Sequence, residues 1–318
     1  MPKAYRWQHA AALISLLSLF ALLLLRSAPL QRAATEALRF SAMTLIPALF
    51  PFSVLARLFA EGGLLPVGNP LSRRCAKALG IPEAGLAPFL LGLFCGYPMG
   101  GYTAACLWEK GVLTKEEAYR IGAVACSPGM AFLLLTVSSL YKDRRVGITL
   151  FLSVNLASLL YALLTAKNKV AKTPLPPLPP FPPPKGQSPM QRGILLLSDA
   201  IVKGGTAMLS LAAFVTFFAT LSEAFRILCP LSLPSALFSS LLESTASVRS
   251  SLSLFSSHGG FSAVSLMAAG IGWSGLSVLL QTEALFRGSL PFAALVKARG
   301  CIALLSSLLA AVLWWLMG

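Results

Sequence analysis

Hydrophobic residues in this chain come in runs of membrane-spanning length, and several of the runs are broken at their centres. Runs over residues 10–25, 42–59, 147–166, 206–225 and 300–317 are continuous and apolar, the pattern of helices crossing a hydrocarbon core about 30 Å thick. Four others carry proline, glycine or small polar residues in their middles. These are Gly96-Tyr97-Pro98-Met99-Gly100-Gly101 within 85–108, Ser127-Pro128-Gly129 within 119–141, Glu243-Ser244-Thr245-Ala246-Ser247 within 234–254, and Gly272-Trp273-Ser274-Gly275 within 261–286. Inside a bilayer every backbone N–H and C=O needs a partner, so a broken helix persists there only where protein or a wet cavity surrounds it. Breaks at corresponding positions of two halves are the pattern of a secondary transporter's binding site.

The order of these elements occurs twice. In each half an amphipathic lead-in (31–40; 193–204) precedes an apolar helix, which opens on Ala42-Met43 or Ala207-Met208. A helix broken at its centre follows, then a longer broken helix, then a plain one. Arms of about 15 Å reach only the midplane, so 85–108 and 234–254 are expected to turn back as re-entrant hairpins, whereas 119–141 and 261–286 cross. Between the halves, residues 174–184 are almost entirely proline and leucine, a composition that forms an extended polyproline strut. The expected fold is an all-α membrane protein: an inverted-repeat transporter bundle with two re-entrant helical hairpins and two broken transmembrane helices. Its expected parts are an uncleaved N-terminal transmembrane helix (1–30), a first repeat (31–166), a proline-rich basic cytoplasmic linker (167–192) and a second repeat (193–318).

Composition sharpens the class. Of 318 residues 56% are hydrophobic and 12% charged, against about a quarter charged in soluble domains, so the chain reads as a multi-pass cell-membrane protein with the lipid bilayer as its first partner. The net charge of +15 lies in short segments between apolar runs, which fits positive-inside topology and excludes a nucleic-acid surface; an anionic substrate is the sharper alternative. With the N-terminus inside, Arg73, Arg74 and Lys77, the linker, and the group Arg287, Lys297 and Arg299 all become cytoplasmic. Six cysteines without CxxC spacing and two histidines give no material for a metal or another cofactor, and Cys95, Cys106, Cys126 and Cys301 read as small core residues.

Candidate chemistry gathers at the breaks. An isolated charge such as Glu243 costs about 2.5–3.5 kcal/mol at membrane depth, so it is expected to bind a coupling cation or proton, or else to pair with Arg249 or cap the second arm. Ser244, Thr245 and Ser247 suit either a polar ligand or freed backbone groups. Tyr97, Gly100, Gly101 and Thr103 occupy the matching place in the first half, where exposed N–H groups favour an anion and tight helix packing is the bland alternative. Ser127 and Ser274 are expected to face each other across the two halves. Asn155 suggests an interhelical hydrogen bond, and Arg57 and Lys203 are expected to snorkel to the interface. Gly272-Trp273-Ser274-Gly275 also reads as the GxSG setting of an intramembrane serine protease, but that chemistry needs a later histidine base, and His9 and His258 both precede Ser274. No enzyme is expected.

Leu45-Ile46-Pro47-Ala48-Leu49-Phe50-Pro51-Phe52, together with Gly92-Leu93-Phe94-Cys95-Gly96-Tyr97-Pro98-Met99-Gly100, residues 111–118 and Ser127-Pro128-Gly129, resembles the sporulation integral membrane protein family of YlbJ type. That family belongs to the nucleoside-recognition (Gate) domain superfamily. The resemblance implies two inverted repeats meeting at a central site, and export of dipicolinate during sporulation, in a forespore membrane. The chain departs from the family pattern at Ala125-Cys126 and at Ser244-Thr245-Ala246-Ser247. Taken together, the expectation is a carrier of a small polar, anionic metabolite, as a monomer or homo-oligomer. The alternatives are a non-transporting component of a sporulation membrane complex or a nucleoside transporter.

Overall fold

The computed structural model describes residues 24–61, 68–166, 188–248, 260–286 and 291–317, with 13, 14, 17, 18, 20, 21 and 251. Among these residues the only regular structure is helical. The expected N-terminal helix falls mostly outside them, as do residues 167–187 of the linker, the second arm beyond 248 apart from Ser251, Arg249 and both histidines.

Helix α1 (Ser27–Phe40) passes through a π-helical turn (Ser41–Leu45) into α2 (Ile46–Glu61), which holds Pro51 in its interior. Helix α3 (Pro70–Leu79) starts on Asn69, whose side chain accepts from the Ser72 N–H at 2.7 Å, and stops on left-handed Gly80. Two arms follow, α4 (Leu86–Phe94) and α5 (Met99–Glu109), separated by the Cys95–Pro98 break. A Thr114–Glu117 capping box opens α6 (Lys115–Val124), which ends at the Ser127-Pro128-Gly129 break. A π-helical stretch (Phe132–Val137) continues into α7 (Ser138–Tyr141), and Asp143 caps α8 (Arg144–Leu164).

Beyond the linker, Ser188 and Gln191 form a second capping box with Pro189 in the first turn, and α9 (Pro189–Leu228) runs for 40 residues. The second half continues with α10 (Ser232–Leu242), a short helix at 244–248, α11 (Gly260–Trp273), α12 (Gly275–Leu285) and α13 (Phe292–Leu316).

Two boundaries differ from expectation. The lead-ins are not separate elements: α1 passes through the π-helical turn at Ser41 into α2, and α9 runs unbroken through Gly204-Gly205. Gly204 instead lets α9 approach α2, since a Cβ there would lie 2.9 Å from Ser53 Oγ. Residues 189–192, expected in the linker, already belong to α9.

Five spans are long and apolar enough to cross a membrane: Ser27–Leu55, Arg144–Leu164, Gly193–Leu228, Gly260–Leu285 and Phe292–Leu316. A further pair, Pro70–Leu79 with Glu83–Phe94, would make a sixth but is bent by 83°. The faces of the spans carry the membrane signature. On α13 Leu295, Arg299, Ile302, Ser306 and Ala310 are buried, while Leu304, Leu308, Val312 and Trp315 point outward. On α8 Thr149, Ser153 and Ser158 face inward and Ile148, Leu152, Leu156 and Leu160 outward. Polar groups turned in and large apolar ones turned out is the arrangement a hydrocarbon solvent selects. The protein is an all-helical, multi-pass membrane protein. At its centre α11, α13 and α8 pack together, α1 and α2 line α9, and α4, α5 and α6 form a compact group joined to α12 and α13.

Candidate functional site

The four breaks come to one place. In the first half the turn at Gly96 lies against Ser127-Pro128-Gly129: the Tyr97 N–H donates to the Ser127 carbonyl at 2.9 Å. A Cβ on Gly96 would stand 2.2 Å from the Gly129 nitrogen, and its φ of +85° excludes most side chains as well. In the second half the turn at Glu243-Ser244 lies against Ser274-Gly275, where a Cβ on Gly275 (φ +79°) would meet Glu243 Cα and Ser244 N at 2.8 Å. Trp273 Nε1 ties the same break to the Leu241 carbonyl at 2.9 Å.

The halves are then joined turn to turn and break to break. Tyr97 Oη and Ser244 Oγ share a hydrogen bond of 2.9 Å. Ser274 Oγ donates to the Cys126 carbonyl at 2.7 Å, and Cys126 Sγ lies 3.2 Å from Thr282 Oγ1. Tyr141 Oη adds a bond to the Val248 carbonyl at 2.6 Å.

Glu243 is 5% exposed. Its carboxylate accepts from the Thr245 hydroxyl, the Ala246 N–H (3.1 Å) and the Ser244 hydroxyl (3.4 Å), so it caps the short helix at 244–248 from an extended backbone. Ser244, Thr245 and Ser247 are all buried beside it. Ser247 also packs on α11, where a Cβ at Gly270 would overlap its hydroxyl.

Not every expected site residue faces this junction. Gly100 is a packing residue, because a Cβ there would sit 2.7 Å from Ala125 Cβ and from Gly92 Cα, where α4, α5 and α6 meet. Gly101 lies beside Gly122, Leu285 and Thr282 with room for contact, and Thr103 is buried within α5. Ser127 does not meet Ser274 side chain to side chain. It is the Cys126 carbonyl that bonds Ser274, while Ser127 Oγ, like Ser277 Oγ and Gln281 Nε2 on α12, is buried with no hydrogen-bond partner among the described residues.

Three residues stand elsewhere than expected. Arg299, assigned to a cytoplasmic charge cluster, is fully buried (0% exposed) at the junction. Its Nη2 donates to Ser274 Oγ at 2.6 Å and its Nη1 to the Ala123 carbonyl at 3.4 Å. Arg57 does not snorkel: it is 2% exposed and stacked 3.6 Å over the Tyr102 ring, with Nη2 donating to the Lys203 carbonyl at 3.5 Å. Asn155 Nδ2 bonds the Phe151 carbonyl of its own helix at 2.9 Å rather than a neighbour.

Arg299 was concealed because Lys297 and Arg299 read as a basic segment before the apolar run that opens at Gly300. Its signal was the helical stripe Leu295, Arg299, Ile302, Ser306, Ala310, which continues through the glycine. Among the described residues no group of three or more His, Cys, Asp or Glu side chains gathers to hold a metal.

Comparison of the chain with protein-family models, with curated proteins and with solved structures matches none of them.

Proposed function

We propose that this protein is a carrier that moves a small polar, anionic solute across the membrane through the junction of the four breaks. One observation carries the reading: two helix turns and two broken helices, from opposite halves of the chain, meet at a single buried polar cluster joined by the Tyr97–Ser244 and Ser274–Cys126 hydrogen bonds. Soluble-style packing has no need to bring four backbone breaks together at membrane depth, where each one exposes groups that must be satisfied. Discontinuous helices meeting at the midplane are the means by which carriers present N–H groups and polar side chains to a solute.

In this reading the halves are inverted repeats, and α4–α5 and α10 with its successor are re-entrant hairpins. Their arms support it: 9, 11 and 11 residues are about 13–16 Å at 1.5 Å per residue, half the hydrocarbon core. The buried hydroxyls and amide without partners on Ser127, Ser277 and Gln281 are the kind of unfilled hydrogen-bonding capacity that a solute or water completes.

The sequence likeness to the YlbJ-type sporulation family makes dipicolinate the first solute to test and a forespore membrane the place to look. Against a serine protease stands the Ser274 hydroxyl itself, whose proton goes to a backbone carbonyl and whose lone pair takes an arginine N–H, so its partners among the described residues include no general base. Reconstitution in proteoliposomes tests the carrier. Uptake or exchange of dipicolinate, other carboxylates or nucleosides is expected. Absence of flux for all of them replaces the carrier with a structural component of a membrane complex.

A further inference from the structure

We infer that the Arg299 guanidinium is the receptor for a carboxylate of the solute, and that the Ser274 hydroxyl occupies that receptor until the solute displaces it. The meaning of this exchange for transport rests on the carrier reading above; the binding itself does not.

Charge points to this role first. Ser274 sits near the middle of the Gly260–Leu285 span, so a guanidinium bonded to it lies at membrane depth, where an uncompensated charge is costly. Ion pairs among the described residues include Arg73–Glu83, Arg145–Asp143, Lys203–Asp199 and Arg226–Glu223, and Arg299 takes part in none of these. Glu243, an acidic residue of this junction, is not a hydrogen-bond partner of the Arg299 guanidinium, which donates to Ser274 Oγ and the Ala123 carbonyl.

Shape selects the ligand. A guanidinium offers five N–H donors, and its Nε–Nη2 edge is the fork that binds a carboxylate through two parallel hydrogen bonds. On this edge Nη2 is held by Ser274 Oγ at 2.6 Å, whereas Nε is buried without a partner among the described residues. A hydroxyl fills half of the fork and a carboxylate fills all of it. One guanidinium neutralises one negative charge, so it matches a single carboxylate group in full and a phosphate dianion only in part, and the second carboxylate of a dianionic solute needs a different partner.

The present occupant is built to leave. Ser274 is held at φ +74°, a region that L-residues with a side chain rarely adopt and that concentrates at functional sites. Its hydroxyl keeps a second partner, the Cys126 carbonyl at 2.7 Å, so displacement costs it one bond and leaves one. Arg299 and Ser274 lie in the second half and each also bonds the first, at the Ala123 and Cys126 carbonyls, so the bond exchanged sits beside the contacts between the halves.

The test measures binding and flux separately on the full-length protein. Binding of pyridine-2,6-dicarboxylate and benzoate is followed by thermal shift and tryptophan fluorescence in detergent, with the corresponding amides as neutral isosteres and inorganic phosphate as the competing anion. The wild type is expected to bind a carboxylate in preference to its amide and to phosphate. Arg299→Lys keeps the charge but loses the fork, and should weaken binding about tenfold or more; Arg299→Gln should abolish it. Ser274→Gly removes the internal occupant at a backbone angle glycine tolerates, and should tighten carboxylate binding severalfold.

Folded Arg299 variants with wild-type carboxylate affinity would overturn the inference, as would a wild type that binds no carboxylate, binds amides equally well or prefers phosphate. If the Arg299 variants fail to fold, unchanged or weaker binding by Ser274→Gly overturns it. Arg299-dependent binding without flux of any solute would leave the inference standing and end the carrier reading. Flux of carboxylates that is indifferent to Arg299 would do the reverse.

Discussion

At Glu243 the capping role is separable by substitution from any role in transport. The carboxylate caps the helix at 244–248 through the Ala246 N–H and the Thr245 hydroxyl, both on Oε2, while Oε1 accepts from the Ser244 hydroxyl at 3.4 Å. Glutamine reproduces this set: its carbonyl takes the place of Oε2, and its NH₂ donates to Ser244, whose hydroxyl rotates to accept. Glu243→Gln is therefore expected to fold with near wild-type thermal stability. If the carboxylate carries a proton or a coupling cation, flux in proteoliposomes should fall at least about tenfold, and the remainder should lose its pH dependence. Glu243→Ala instead strips the cap and leaves buried donors unpaired, which costs about 1–3 kcal/mol and should lower the unfolding temperature in detergent. A stable, fully active Glu243→Gln with unaltered pH dependence would remove the proton or cation role and leave the cap alone.

Among elements, the contact between each turn and its partner break is the feature most sensitive to substitution. Gly96→Ala and Gly275→Ala place a methyl group at positive φ and within 2.2 and 2.8 Å of backbone atoms. Each should destabilise by about 2–4 kcal/mol, combining backbone strain with overpacking. Gly111→Ala is the control: its φ is +71°, but nothing lies within 4 Å, so only the strain of about 1–2 kcal/mol remains. Thermal unfolding of the three variants side by side separates the two terms.

A cap outside the bilayer gives a pH signature. Asp143 accepts from the Arg145 N–H at 2.9 Å and pairs with its guanidinium, which holds the carboxyl below the usual carboxylate range. The contribution of the cap to folding is thus complete above the unfolded value of about 3.9 and is lost as pH falls through the folded one. Asp143→Ala should cost about 1 kcal/mol at neutral pH and abolish that acid-side loss.

The breaks themselves were legible in the sequence because proline, glycine and polar residues at the centre of an apolar run interrupt helical hydrogen bonding where lipid offers no substitute partner. What was not legible is which break meets which. Tyr97 bonding Ser244 and Ser274 bonding the Cys126 carbonyl depend on how the halves dock, and no local pattern encodes docking. Arg299 was misplaced for a related reason. Charge counting treats every basic residue near a span as solvated, whereas this one lies on the buried stripe of α13, opposite Leu304 and Leu308.

For the molecule as a whole, the inverted-repeat reading makes a claim about sidedness that two native cysteines can report. Cys75 is exposed on α3, ahead of the first hairpin, and Cys229 is partly exposed directly after α9, ahead of the second. If α4–α5 is re-entrant, the chain leaves the membrane on the side where it entered, so the thiol of Lys110→Cys must share a face with Cys75. If the halves are inverted, Cys229 must lie on the opposite face. By the positive-inside rule, Arg73, Arg74 and Lys77 around Cys75 predict a cytoplasmic face for it. Each thiol, alone in an otherwise cysteine-free background, is treated with a membrane-impermeant maleimide in intact cells and in inverted vesicles. Cys75 and Lys110→Cys should label only in inverted vesicles, and Cys229 only in intact cells. Labelling of Cys75 and Lys110→Cys from opposite faces would make the α4–α5 segment a full crossing, which its arms of about 13–16 Å could achieve only in series. Labelling of Cys75 and Cys229 from the same face would remove the inversion while leaving the buried junction in place.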